Sequence, residues 1–164
     1  MRLGDLLHRD VIRVGLRART KEEALEEMVD VLLEAHEIPL SLREPVLEAV
    51  HERESHRSTG MQYGVAVPHG HTDRVEDIIA AIGISQEGIP FECLDGISAR
   101  IIVLLVLPRR TFYRNPHTMA GIAHLLANAS LRDKLKAATD PDAVLRAIKE
   151  EESKPSFNNL DGEQ

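Results

Sequence analysis

The most constraining feature of the chain is one apolar run, Ile101-Ile-Val-Leu-Leu-Val-Leu107, which is its longest and which Pro108 follows directly. Apolar and polar residues do not alternate along it, and this is typical of a strand that is covered on both faces. A helix would also fit so short a run on periodicity alone, but the proline at its end favours a strand. The sequence therefore predicts a sheet whose central strand lies between two layers.

Other short apolar runs indicate the rest of this sheet. The segments Gly64–Pro68 and Ile78–Ile84 have strand length and are bounded by glycine, proline and aspartate, and Val11–Val14 is a further short strand.

Helical periodicity surrounds the strand segments. Thr20-Lys-Glu-Glu23 is a capping box ahead of an amphipathic helix over residues 21–35, and Ser41-Leu-Arg-Glu44 repeats that signal ahead of a helix that reaches about Glu54. A period of 3.6 residues returns from about Pro116, continues through Leu131 and begins a third time at Asp140.

This order of elements predicts an α/β fold, close to an α+β sandwich, in which helices flank both faces of a small mixed sheet. We expect a single domain over residues 1–150 and a polar, disordered tail over residues 151–164.

Composition excludes several classes of function. The chain has 164 residues with 20 Lys and Arg against 27 Asp and Glu, a net charge of −7, which disfavours a dedicated binder of nucleic acid or anionic membranes. Cys93 is the single cysteine, so no intrachain disulfide forms. The chain begins without a signal-peptide pattern, and its apolar runs are far shorter than the roughly 20 residues of a membrane-spanning helix. We therefore expect a cytoplasmic protein.

The richest motif is Ser58-Thr-Gly-Met-Gln-Tyr-Gly-Val-Ala-Val-Pro-His-Gly70. Pro68 ends the apolar run, and His69 follows where the backbone can hold its ring without burying it completely. A neutral imidazole in one fixed tautomer is a nucleophile at physiological pH, and Gly70 would leave room for a bulky group to approach. The alternative is a solvent-exposed histidine at the end of a strand with no chemical role.

This motif resembles the signature of the fructose, mannitol and nitrogen-type enzyme IIA domains of the phosphoenolpyruvate-dependent phosphotransferase system (PTS). The resemblance extends through Arg53-Glu54, the segment from Phe91 to Pro108, and Pro116-His-Thr, and covers roughly residues 3–150. It implies a phosphocarrier that accepts a phosphoryl group from the histidine phosphocarrier protein HPr, or from its nitrogen-type relative. The group would pass to a cysteine of an EIIB domain for sugar uptake.

The resemblance also implies the roles of individual residues. His69 would be the phosphorylated nucleophile, His117 the second histidine of the site, and Arg53 the partner of the phosphoryl oxygens. Thr59 and Gly70 would support the site. An arginine fork matches the charge spread over a transferring phosphoryl group, and no metal or bound cofactor is required.

Two features depart from the family pattern. Gln62 stands where the family usually has a second glycine, so we expect it to be strained if that position needs a positive φ. The segment Arg109–Asn115 is unusually basic and aromatic, which affects the identity of the partner more than the phosphorylation itself.

Two other functions stay open. The protein could be a nitrogen-type regulator that binds a transporter or a kinase according to its phosphorylation state, without onward transfer to sugar. Alternatively, His69, His71 and His117 could bind a metal ion, although no acidic residue is placed by motif as a further ligand.

Overall fold

The computed structural model describes residues 2–158, apart from the side chains of residues 112, 113, 115 and 158. Its strands are β1 (Ile12–Val14), β2 (Val65–Ala66), β3 (His69–Thr72), β4 (Ile79–Ile89) and β5 (Ala99–Pro108). They form one mixed sheet in the order β1-β4-β5-β2, and β3 also pairs with β5. The β4 and β5 strands are antiparallel, whereas β1, β2 and β3 run parallel to their partners. The predicted mixed sheet is confirmed.

The helices lie before and after β1 and after β5. They are α1 (Leu3–Leu6), α2 (Lys21–Glu34), α3 (Arg43–His56), α4 (Asn115–Leu126), α5 (Ala129–Ala137), α6 (Pro141–Glu152) and α7 (Pro155–Asn158), with short 3₁₀ turns at Arg9–Val11, Leu40–Leu42 and Arg109–Arg114. In the described part of the chain, no helix is both long enough and apolar enough to cross a membrane.

The β5 strand is the centre of the core, as its sequence predicted. Every residue from Ile101 to Leu107 is at most 1% exposed. Because successive side chains of a strand point to opposite faces, this burial requires cover on both sides of the sheet. The fold is therefore a sheet enclosed by helices, and it agrees with the predicted class.

The helix starts agree with the sequence in two cases out of three. The Thr20 hydroxyl accepts the Glu23 amide at 3.2 Å, and an Asp140 carboxylate oxygen accepts the Ala143 amide at 2.9 Å. The capping box at Ser41 is wrong, because Ser41 lies inside a 3₁₀ turn and α3 starts at Arg43 without a side-chain cap.

The polar tail differs from the expectation. The α6 helix continues through Glu152, which is buried and accepts a hydrogen bond from the Gly4 amide at 2.8 Å. Phe157 packs against the core, and its ring stacks on His124 with centroids 5.8 Å apart. The structure describes residues 151–158 mainly as helix, with apolar and buried polar contacts to earlier residues; residues 159–164 lie outside the described residues.

Candidate active site

The loop before β2 folds back onto the sheet. The Met61 amide donates to the Val65 carbonyl at 2.7 Å, and the Val67 amide donates to the Thr59 carbonyl at 3.1 Å. A Cβ atom at Gly60 would lie 2.7 Å from the Phe91 carbonyl oxygen, so only glycine permits this approach. The Thr-Gly motif thus packs beside the short strand that leads to His69.

His69 is the first residue of β3 and is paired in register with Leu105 of β5. Its residue is only 8% exposed, and its Nδ1 atom lies 3.0 Å from the Val67 carbonyl oxygen. A carbonyl oxygen only accepts hydrogen bonds, so Nδ1 carries the proton and donates it. In the neutral ring the lone pair is then on Nε2.

The surroundings keep this ring neutral. Burial is the main cause that lowers the pKa of His69, and the positive charge of Arg53 lowers it further. The hydrogen bond to Val67 and the charge of Glu54 act in the opposite direction. Since the net pKa lies below that of a free histidine, Nε2 is available as a nucleophile at neutral pH.

Arg53 lies in the last turn of α3. Its Nη1 atom donates to the Arg57 carbonyl at 2.8 Å, and its charge lowers the pKa of both His69 and His71. The structure therefore brings two of the expected site residues together, a guanidinium and a neutral imidazole.

Thr59 is hydrogen bonded to a buried carboxylate. Its amide and hydroxyl donate to the two oxygens of Glu54 at 3.0 and 2.6 Å, and Lys21 Nζ lies 3.0 Å from Glu54 Oε1. The Glu54 and Lys21 side chains are 4% and 14% exposed, so the ion pair is largely buried. The sequence analysis did not predict this network. The resemblance includes the pair Arg53-Glu54, so Glu54 could have been considered as part of the site. Nothing in the sequence pointed to Lys21.

Gly70 has a structural role that the sequence did not predict. A Cβ atom at this position would lie 2.9 Å from the Val50 amide nitrogen and 3.0 Å from the Ala49 carbonyl carbon, both on α3. The space beside Gly70 is therefore filled by the α3 backbone rather than left open for an approaching group. Glycine here lets β3 and α3 approach closely, and this brings His69 next to the end of the helix that carries Arg53.

His117 lies near the start of α4. It is exposed on α4 and lines a groove together with Leu6, Ile78, Arg110 and Thr118. Neither His69 nor His71 lines this groove. The ring centroid of His71 lies 6.1 Å from that of His69.

The backbone strain expected at Gln62 occurs one residue later. Tyr63 has a φ of 64°, and its amide donates to an Asp95 carboxylate oxygen at 2.8 Å. The Arg132 guanidinium lies 4.3 Å from the centre of the Tyr63 ring. The turn therefore places its left-handed residue at Tyr63, stabilised by polar and cation–π contacts, and not at Gln62.

The described residues contain no cluster of metal-binding side chains. No group of three or more histidine, cysteine, aspartate or glutamate residues among the described residues could hold a metal ion.

Cys93 is buried at 8% exposure, and burial raises the pKa of its thiol, as expected for a small core residue.

Comparison with known families supports this architecture. The model of the family described as "Phosphoenolpyruvate-dependent sugar phosphotransferase system, EIIA 2" matches residues 5–151. The chain is similar to two kinds of curated protein. It is 30% identical over 148 residues to the fructose-specific EIIABC component of the PTS from Bacillus subtilis, which covers 90% of the chain and 23% of that protein. It thus spans about a quarter of the length of this relative. A nitrogen regulatory protein of Bradyrhizobium diazoefficiens is also 30% identical, over 90% of the chain and 95% of its own length.

Solved structures agree on the fold. The nitrogen regulatory protein IIA-Ntr from Neisseria meningitidis superposes with a TM-score of 0.80 at 23% identity, over 89% of the chain and 98% of that structure. Enzyme IIA for mannitol from Escherichia coli, in complex with phosphorylated enzyme IIB, gives a TM-score of 0.73 at 23% identity, over 88% and 97%. On the family match over most of its length, the chain belongs to the type 2 enzyme IIA family of the phosphoenolpyruvate-dependent sugar phosphotransferase system.

Proposed function

We propose that this protein is a phosphocarrier whose nucleophile is Nε2 of His69. The observation that carries the proposal is the state of the ring: it is buried and neutral, its Nδ1–H is bound to the Val67 carbonyl, and Arg53 is close enough to affect its pKa. A fixed tautomer with a lone pair on Nε2 is what nucleophilic attack on phosphorus requires.

The transfer step balances without a cofactor. The Nε2 lone pair forms the new N–P bond while the bond between phosphorus and the donor's histidine nitrogen breaks, and the electrons of that bond return to the donor. The Nδ1 proton of His69 stays on the ring, hydrogen bonded to Val67. The guanidinium of Arg53 neutralises charge on the phosphoryl oxygens, because phosphoryl transfer depends mainly on positioning and electrostatic stabilisation.

The resemblance to the family suggests the partners. HPr or its nitrogen-type relative would supply the phosphoryl group, and the cysteine thiolate of an EIIB domain would accept it. The solved complex of mannitol enzyme IIA with phosphorylated enzyme IIB supports an acceptor of this kind. We propose that the described residues form a single phosphocarrier domain that acts in the cytoplasm.

A second candidate has support from the comparisons. A nitrogen regulatory protein is as similar as a fructose-specific component, at 30% identity in both cases. In this role the phosphoryl group on His69 would alter the affinity for a regulated transporter or kinase instead of passing to a sugar. The phosphoryl oxygens carry about −1.5 to −2 charges, and bringing them to a surface that carries Arg53 changes its electrostatics enough to switch an interface.

The proposal is tested by incubating the protein with phosphoenolpyruvate, enzyme I and either HPr or the nitrogen-type donor, then measuring intact mass. We expect an acid-labile adduct of one phosphoryl group on the wild type and none on the His69→Gln variant. An equal adduct on both proteins, or none with either donor pair, contradicts the proposal. Loss of the adduct on addition of an EIIB domain indicates transport, whereas a persistent adduct with altered partner affinity indicates regulation.

A further inference from the structure

We propose that His71 and Arg109 form a second side of the phosphoryl-binding pocket and bind oxygens of the group carried by His69. This inference rests on the proposed phosphorylation of His69 and adds residues that neither the motif nor the family resemblance assigned to the site.

The strand geometry places His71 beside the nucleophile. Residues two apart on a strand project from the same face, and His69 and His71 are paired in register with Leu105 and Leu107 of β5. Their rings are 6.1 Å apart between centroids and are oriented edge to face at 84°. His71 is half-buried, so its ring borders the solvent from which the phosphoryl donor arrives.

The pairing of β3 with β5 places Arg109 near His71. Thr72, the last residue of β3, is paired with Pro108, and Arg109 follows directly. Its Nε atom lies 3.9 Å from a carboxylate oxygen of Asp73, and both side chains are well exposed, at 68% and 79%. Exposed ion pairs of this length contribute little. Arg109 can therefore exchange Asp73 for a doubly charged phosphoryl group at small cost.

The charges around His71 suit an anion. The described charges that act on it come from His69 on its own strand, Arg53 from α3 and Arg109 from the turn after β5. The carboxylate of Asp73 contacts Arg109. Burial is the main cause that lowers the pKa of His71, followed by His69, Arg109 and Arg53. In the unphosphorylated protein the ring is thus neutral in a positive environment.

Phosphorylation of His69 changes the charge that acts on the His71 ring. A phosphoryl group brings about −1.5 to −2 charges and acceptor oxygens to the His69 ring. A negative charge beside His71 favours its imidazolium form. The ring takes one proton from solvent and keeps it, and an N–H of the imidazolium donates a hydrogen bond to a phosphoryl oxygen. Arg109 supplies a second donor. His71 and Arg109 therefore bind the phosphoryl oxygens on one side, and Arg53 binds them on the other.

The test combines kinetics with titration. We expect His71→Gln and Arg109→Gln each to accept the phosphoryl group from HPr at least tenfold more slowly than wild type, as for loss of a donor to a developing anion. His8→Gln is the matched control, since His8 is half-buried like His71 and pairs with Glu37, which is not part of the proposed pocket. In NMR titrations of the wild type, the pKa of His71 should rise on phosphorylation, an effect that a merely structural role would not produce.

The outcomes separate the two proposals. If His69 is phosphorylated but both variants react within twofold of wild type and the pKa of His71 does not rise, the role of His71 and Arg109 is overturned while the phosphocarrier stands. If His69 is not phosphorylated in the wild type, the proposed function itself fails. Equal thermal unfolding of the three variants and wild type establishes that any slow transfer is not a folding defect.

Discussion

The His69 Nδ1 atom lies 3.0 Å from the carbonyl oxygen of Val67, two residues earlier in the chain. This short-range bond sets the tautomer of the ring by backbone geometry alone, because the acceptor cannot ionise and cannot donate. The local sequence Val-Pro-His therefore leaves the lone pair of the neutral ring on Nε2, the atom that we propose as the nucleophile, while contacts between distant segments provide the charge of Arg53.

The titration of His69 should lie below that of a free histidine. Burial and the charge of Arg53 lower its pKa, so an NMR titration should show a midpoint below about 6.5. The Arg53→Gln variant should raise that midpoint towards the free value, because the repelling cation is removed. A midpoint above 6.5 in the wild type, or no change in Arg53→Gln, would show that the electrostatic description of the site is wrong.

The same lowered pKa predicts how stability depends on pH. Below about pH 6.5 the unfolded chain binds a proton at His69 before the native state does. This histidine therefore lowers the free energy of unfolding progressively as the pH falls from about 6.5 through its native pKa. The measurement is denaturant unfolding at several pH values, with His69→Gln as the comparison. The variant should lose less stability than wild type over this interval, and parallel curves would contradict the prediction.

Replacing Glu54 should weaken the fold around the motif loop. Glu54→Ala removes the acceptor of two Thr59 hydrogen bonds and leaves Lys21 without its buried partner. Breaking a buried ion pair costs about 3–5 kcal/mol, and the partial exposure of Lys21 places the expected loss near the lower end. Glu52→Ala is the matched control, because Glu52 is exposed on the same helix. Equal denaturation midpoints for the two variants would count against the role of Glu54.

The close approach of β3 and α3 predicts an asymmetry between two glycines. Gly70→Ala places a Cβ 2.9 Å from the Val50 amide nitrogen and should destabilise the protein by about 1–3 kcal/mol. Gly121→Ala on α4 meets nothing within 4 Å and should instead stabilise the helix, by up to about 1 kcal/mol. Thermal unfolding of both variants checks the prediction. A Gly70→Ala protein as stable as wild type would show that the strand and helix can separate without cost.

Much of this structure could be predicted from local patterns. The uninterrupted apolar run predicted β5 and its cover on both faces, and the periodicity after Thr20 predicted a helix over residues 21–35, close to the observed Lys21–Glu34. These features depend on burial and on hydrogen bonds within a few residues. Both leave a direct signal in the sequence.

Contacts between distant segments could not be predicted in the same way. The Lys21–Glu54 pair joins two helices, and the packing of Gly70 on α3 depends on how a strand and a helix meet. His71 was considered only as a metal ligand, because the sequence does not show that the turn after β5 carries Arg109 to the same point. The fixed polar tail likewise depends on Glu152 meeting the amide of Gly4, which lies near the opposite end of the chain.

The most direct test of the account is to locate the phosphoryl group at atomic resolution. Protein labelled with ¹⁵N on histidine is phosphorylated through HPr, and its ³¹P and ¹⁵N spectra are recorded at neutral pH. We predict a single phosphoramidate signal, coupled to Nε2 of His69, with the proton retained on Nδ1. A phosphoryl group on Nδ1, or on any residue other than His69, would contradict the account.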